Sequence, residues 1–502
     1  MIRSATVLFV TASFLALATP PARASEPSAT PAFAGATRDA LALGSHVVVS
    51  WNDLGMHCMN QSHANLSVLP PYNNLFAQVI QRGDEAHLPR VVVSGVSVEY
   101  SVPGNTYSVG KTDFWTYAPA LFGVTLPPNV GLTGKGLTGS LDPGVGSFSA
   151  HGIPVTPWPD DDLVNEHPFQ QALVIARDGG GAELARSTPV IPVSTEIHCL
   201  ASGCHASESA ILNSHGRVSG FDPDVRPILC AKCHASPALG TTGVPEAKYF
   251  SFRIHDAHRF LDQTMSGTAL CYTCHPGGQA QCLRGAMSVR HGLECQNCHG
   301  SMGAMANGIE LGRIPWVQEP KCATCHLSAY AENPGTLFRN SIGHGGIMCE
   351  GCHSSTHADV PTRVAADNAN NIVLQGFAGS LRDCSVCHGY YPAGGGPHGL
   401  VLTAVEQEVT SGAKPLHAFP NPMRTSCSIE IPGRSPADGR LILYDMQGRI
   451  VRMLDPVVAR PGVLRASWNG ADAHGTRVRA GVYFIRWQQG AQQAAARVTL
   501  VD

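Results

Sequence analysis

Between Cys199 and His398 the chain repeats one short pattern. Six copies read Cys230-Ala-Lys-Cys233-His234, Cys271-Tyr-Thr-Cys274-His275, Cys295-Gln-Asn-Cys298-His299, Cys322-Ala-Thr-Cys325-His326, Cys349-Glu-Gly-Cys352-His353 and Cys384-Ser-Val-Cys387-His388. A seventh, Cys199-Leu-Ala-Ser-Gly-Cys204-His205, has two more residues between its cysteines. Cysteines spaced this way can add to the two vinyl groups of a porphyrin as thioethers, and the adjoining imidazole then reaches the iron; Cys-x-x-Cys-His is the attachment sequence of c-type haem. Zinc ribbons need paired Cys-x-x-Cys knuckles, and neither they nor a disulfide framework explain a histidine after every second cysteine. The cofactor expected is therefore seven covalently bound haem c groups. His205, His234, His275, His299, His326, His353 and His388 are the proximal iron ligands.

The sixth iron position decides between carrier and catalyst. An electron carrier fills both axial positions, so that little rearranges on reduction and no open site invites side reactions. The same stretch holds eight further histidines, His198, His215, His255, His258, His291, His344, His357 and His398. Any one of them, taken alone, reads equally as a surface or propionate-bonding residue. As a set they outnumber the haems and predict bis-histidine ligation. His291 and His344 lie four and five residues before Cys295 and Cys349, which suits capping a neighbouring haem.

The remaining chain must deliver and position these groups. At 502 residues it has room for several domains. A charged fraction of 14% and a net charge of −3 exclude a nucleic-acid or polybasic membrane-binding protein. Residues 1–24 read as a signal peptide: a basic start at Arg3, an apolar run from Ala5 to Ala18 and an Ala22-Arg23-Ala24 cleavage site. That run is short of the roughly 20 residues that span a bilayer, and no later run is long enough. Residues 25–43, rich in Ala, Pro, Ser and Thr, read as a linker. Residues 44–195 read as a β-rich domain, with strands at His46–Trp51, Phe76–Ile80 and Gly95–Tyr100 between Gly- and Pro-rich turns. Residues 196–400 hold too few large apolar side chains for an ordinary core, so short helices and loops should wrap porphyrins that serve as the core. Beyond Gly394-Gly-Gly396, strand patterns at Arg440–Asp445, Arg449–Arg452 and Gly481–Trp487 predict an all-β sandwich over 415–502. The fold class is thus multidomain, with a haem-packed centre between two β-rich parts.

Three cysteines lie outside the signatures: Cys58, Cys282 and Cys427. A disulfide between Cys58 and Cys282 would staple the N-terminal part to the haem region in an oxidising compartment. Cys58 also sits in a sulfur- and imidazole-rich run, Met56-His57-Cys58-Met59 with His63 nearby, which suits copper less well; His57 is alternatively a haem cap. Cys427 reads as a small buried hydrophobe. Arg217, Arg253, Arg259, Arg284, Arg290, Arg313 and Arg382 are candidates to pair with haem propionates. Loss of Arg3 and Arg23 with the leader takes the mature chain to about −5 before haem adds its own negative charge.

Two stretches resemble known families. The signature region, with Trp51-Asn-Asp-Leu-Gly-Met-His-Cys58 and Leu69-Pro-Pro-Tyr-Asn-Asn-Leu75, resembles multihaem cytochromes of bacterial extracellular electron transfer. That resemblance implies an exported conduit at the cell surface or outside the cell, with the periplasm as the alternative. Its partners would be other cytochromes or extracellular acceptors, and self-assembly into filaments is a further expectation. Pentahaem nitrite reductases mark their catalytic haem with a lysine in place of the signature histidine; no Cys-x-x-Cys-Lys occurs here. A multihaem oxidoreductase with one open haem stays as the alternative to a pure electron carrier. Residues 415–502 resemble the flagellar hook-cap-like immunoglobulin-type domain, similar to the C-terminal sorting domain of type IX secretion, which implies export or surface attachment and no catalysis.

Overall fold

The computed structural model describes residues 44–501, apart from 198, 201–202, 217, 391, 393–395, 400–415, 433–438, 446–449, 461 and 490–491. The expected leader and linker, and most of the Gly394–Gly396 hinge, lie outside the described residues.

The first half is built on two antiparallel sheets. In one, Asn73–Gln81 is central, flanked by His46–Trp51 and by Phe148–Ile153, with Arg90–Val92 and Asp142–Pro143 completing it. In the other, Leu173–Asp178 lies between Val96–Ser101 and Glu183–Ser187, and Thr138–Ser140 closes the far side. The expected alternation holds in Val96–Ser101, where Val98 and Tyr100 are buried while Ser97 and Glu99 face solvent. Asn73–Gln81 runs from three residues before the expected strand and is buried on almost every residue. Its polar members Asn73, Asn74 and Gln78 are buried with it, and each is bound to protein groups. Leu75, Ala77, Val79, Phe148, Ala150 and Val174 pack the two sheets on one apolar core.

Residues 416–501 form a second, separate core. Two four-stranded antiparallel sheets run His417–Phe419, Cys427–Pro432, Val463–Trp468, Val457–Arg460 and Ile450–Leu454, Gly439–Tyr444, Gly481–Gln489, Gln492–Leu500. Cys427, Ile429, Leu443, Trp468 and Ile485 fill the space between them, so Cys427 is a core residue. Trp468 satisfies its indole N–H on the Ala471 carbonyl at 2.9 Å. Gly439 is required by packing: a Cβ there would collide with the Trp487 ring.

Between these parts the helices are short, such as Phe250–His258, Met302–Glu310 and Ala365–Gln375. Their apolar clusters are small; Phe252, Ala306 and Ile309 form one of them. No helix among the described residues is long and apolar enough to cross a membrane. The segment leans on the N-terminal sheets instead. Leu66–Ser67 of the N-terminal region pairs in parallel with Ile228–Leu229 of this segment, and within the N-terminal region His57–Cys58 pairs in parallel with Val193–Ser194. Arg82 donates to the carbonyls of Val386 and Ser385 at 2.8 and 2.9 Å, and the Gly83 amide donates to Cys387 at 2.8 Å. Gln78 takes the Met348 amide at 2.8 Å and donates to the Gly346 carbonyl at 3.1 Å. Replacing Gln78 by Leu removes the partner of both backbone groups and leaves the half-buried Met348 amide facing an apolar side chain. Gln78→Leu is expected to lower unfolding free energy by about 1–3 kcal/mol, read from urea denaturation of the whole chain; an unchanged midpoint would show the two parts to be independent.

Candidate functional site

Each signature is folded so that its three reactive side chains share one face. In Cys295–His299 and Cys349–His353 the motif is a single helical turn. In four others the histidine amide bonds back to the first cysteine's carbonyl: His234 to Cys230 at 3.0 Å, His275 to Cys271 at 2.9 Å, His326 to Cys322 at 2.8 Å and His388 to Cys384 at 2.9 Å. Residues three and four apart are neighbours on such a turn, so both thiols and the imidazole point to one side. The Cys199–Cys204 copy departs from this, with Gly203 in a left-handed conformation. In Cys349–Cys352 the two intervening residues, Glu350 and Gly351, are buried. A Cβ on Gly351 would press on Val49 and Trp51, so this signature sits directly on the N-terminal sheet.

Six of the signature histidines face a second histidine from elsewhere in the chain. The ring centres are 6.0 Å apart for His205 and His258, 6.1 Å for His234 and His215, and 6.3 Å for His275 and His255. They are 6.2 Å apart for His299 and His357, 5.9 Å for His353 and His398, and 6.0 Å for His388 and His344. Imidazole–metal bonds are about 2 Å long, so each gap would admit one metal ion between the two rings. His344, five residues before Cys349, stands against the histidine of the Cys384 signature.

In five of these rings the outer nitrogen is held by a backbone carbonyl, whereas the buried Nδ1 of His388 has no partner. Nδ1–H of His255 donates to the Ser251 carbonyl at 2.7 Å, His258 to Ile254 at 2.8 Å and His357 to Leu54 at 3.0 Å. His398 donates to Ala329 at 2.8 Å, and the signature residue His234 to Lys248 at 3.0 Å. A carbonyl can only accept, so the proton is fixed on Nδ1 and the Nε2 lone pair is left free to bind a metal. Partial burial adds to this at His255, His353 and His357, where it lowers the imidazole and favours the neutral ring. Sequence reading missed these acceptors, because backbone carbonyls carry no sequence label. One clue was present: His255 and His258 lie within one helix, each donating to the carbonyl four residues earlier.

The remaining candidates are placed differently. His326 and His291 are both exposed, and no ring among the described residues stands against either. His198 lies outside the described residues. His57 is bound to Asp53 at 2.8 Å and His63 to Ser67 at 3.0 Å, and Met59 is in the N-terminal core. This run is therefore committed to packing and hydrogen bonding, and no group of three metal-binding side chains occurs among the described residues. Arg284 is no free propionate partner either: it grips Asp367 through two bonds of 2.7 and 2.9 Å in a buried fork. Arg217 lies outside the described residues.

The signatures also adjoin one another. The first cysteines of two of them, Cys271 and Cys295, are hydrogen-bonded. Cys325 is close enough to Cys298, Cys387 to Cys352, and Cys199 to both Cys230 and Cys274, for the charge of one to disfavour ionisation of the other. His353 and His357, four residues apart, belong to two different pairs.

Inside the Cys349 signature, Glu350 is buried with neither carboxylate oxygen partnered. Burial first, then the charges of Asp53 and Glu319, raise its carboxyl well above the usual range. A native-state acid raised in this way stabilises the fold only while protonated; stability falls as pH rises from the ordinary carboxylate range toward the raised value. Glu350→Gln should therefore melt higher than the parent at about pH 8 and match it near pH 4. Parallel melting curves with no pH-dependent gap would refute that assignment.

No family model matches the chain, and no curated protein matches it. Among solved structures, PorZ, an essential bacterial surface component of the type IX secretion system of Porphyromonas gingivalis, is similar at 22% identity over 17% of this chain and 11% of its own, with a TM-score of 0.14. Dimeric latent PorU from the same organism is similar at 11% identity over 91% of this chain and 34% of its own, with a TM-score of 0.15. This chain spans about a tenth and a third of those two proteins, and at such TM-scores neither defines its fold.

Proposed function

We propose that this chain is an exported heptahaem c-type cytochrome that passes single electrons along adjoining bis-histidine haems. The observation that carries the reading is the set of six histidine pairs, each joining a signature histidine to one from outside the signatures at an iron-sized gap. Bound haem iron supplies a one-electron ferric/ferrous couple. The protein's own part would be to orient His234, His255, His258, His357 and His398 through backbone acceptors on Nδ1, leaving Nε2 free for the metal. Its second contribution is spacing: the contacts among signature cysteines keep successive sites adjacent, as stepwise tunnelling needs. Attachment at the cell surface, exchange with other cytochromes or extracellular acceptors, and assembly into filaments belong to the same reading, and rest on the two resemblances in the sequence.

A second reading, an oxidoreductase with one open haem, draws on a single observation, the exposure of His326 without a facing ring among the described residues. Haem count by pyridine haemochrome and intact mass should give seven per chain, and fewer than six would sink the main proposal. A wholly low-spin ferric spectrum without CO binding on reduction supports the carrier; one high-spin haem that binds CO supports the enzyme. His357→Ala is expected to convert one haem to high spin while leaving the total unchanged. An unaltered spectrum would remove His357 from the ligand set.

A further inference from the structure

Cys58 and Cys282 lie 224 positions apart in sequence, yet two polar clamps hold their segments together, and the one through Arg284 is buried. Cys58 ends the strand His57–Cys58, opposite Ser194 in the neighbouring parallel strand. Two residues beyond Ser194, the Glu196 carboxylate crosses to the other segment and accepts the amides of Gln279 at 2.8 Å and Ala280 at 2.9 Å. On the other side Arg284 donates to the Gly55 carbonyl and, at 3.3 Å, to the carbonyl of Cys282 itself. Arg284 is locked in turn by its fork with Asp367. The segments at 55–58 and 279–284 are therefore tied at both ends, with one thiol on each side.

The thiols are half-buried and feel each other. Burial raises Cys58, with the charges of Cys282 and Glu196 adding to it; burial also pushes Cys282 up to about 11. Both are thiols in the structure. Cys282 also feels Cys295, whose partner is Cys271, so an unpaired Cys282 would compete with two haem-attachment thiols for oxidation. Cys427 is remote from this competition, in the C-terminal β core.

We propose that Cys58 and Cys282 become joined by a disulfide bond in the exported protein, tying the N-terminal β region covalently to the haem-signature region and withdrawing Cys282 from Cys271 and Cys295. The oxidant is a protein disulfide of the export compartment. The Cys282 thiolate attacks one sulfur of that disulfide and expels the other as a thiolate. The Cys58 thiolate then attacks the Cys282 sulfur of the mixed disulfide and releases the second. Two cysteines are oxidised, the oxidant disulfide is reduced to two thiols, and the two protons lost by the chain end on them. The bond stands independently of the haem reading.

The test uses the full-length protein exported by a host that attaches c-type haem. It is denatured in N-ethylmaleimide without reductant, digested and analysed by mass spectrometry. The expected result is one peptide pair containing Cys58 and Cys282, separable on reduction, with neither thiol carrying maleimide. Maleimide on both, or Cys282 linked to Cys271 or Cys295, overturns the proposal. Cys58→Ser should release Cys282 to the reagent, and Cys58→Ser/Cys282→Ser should lower the melting temperature by several degrees at unchanged haem content. Haem mass on the signature peptides is read in the same experiment. A linked pair without haem would sink the cytochrome reading alone, and full haem loading with two labelled thiols would sink the disulfide alone.

Discussion

The arrangement depends on where one proton sits in four of the six imidazoles that face a signature histidine. With Nδ1–H donated to a carbonyl, the ring can neither rotate freely nor switch tautomer, and Nε2 is presented as a lone pair. At His255, His258, His357 and His398 the acceptor is a backbone oxygen. A backbone acceptor cannot be lost by side-chain substitution and moves only when its element moves. Ligand geometry at these sites is thereby tied to folding of the segments that hold Ser251, Ile254, Leu54 and Ala329.

The Leu54 carbonyl shows how far that dependence reaches. It belongs to the N-terminal β region, yet it orients His357, whose ring faces His299. The same region supplies Gln78 to the Met348 amide just before Cys349, and Arg82 to the carbonyls of the Cys384 signature. A β region that folded apart from the signatures would have no need of such contacts. They suit a scaffold, because residues 196–400 bury few large apolar side chains of their own and cannot fix the signatures by an apolar core. The polar links across this boundary are directional, so they set register as well as proximity.

What the sequence disclosed follows the range of the forces involved. The signatures are legible because both cysteines and the histidine fall within five residues, and the strands at His46–Trp51 and Val96–Ser101 because a valine-rich run and an apolar–polar alternation are local patterns. The partner of each signature histidine was not legible: His205 meets His258 and His388 meets His344 through chain reversals that leave no local trace. The count of eight candidates pointed to pairing without assigning it. Arg284 was misread because a buried fork to Asp367, 83 positions away, looks in sequence like any arginine near a haem site. The polar stretch Asn73-Asn-Leu75 was left outside its strand because its side chains pair with distant groups, such as the Pro192 carbonyl and Asp53.

The helix Phe250–His258 carries this logic furthest. It places His255 against His275 and His258 against His205, so one nine-residue element serves two sites. Its own stability is modest: a short helix of near-zero mean hydropathy, pinned by Phe252 against Ala306 and Ile309. Filling either site would order the helix and so pre-place the ligand for the other, because the ordering cost is met only once. Sites sharing an element in this way should load cooperatively, and the shared helix keeps them adjacent afterwards. The same economy recurs at His353 and His357, where a few residues join two ligand pairs. Spacing between sites is thus set by short covalent connections rather than by a bulky core, which suits a chain whose polypeptide is thin between its cofactor positions.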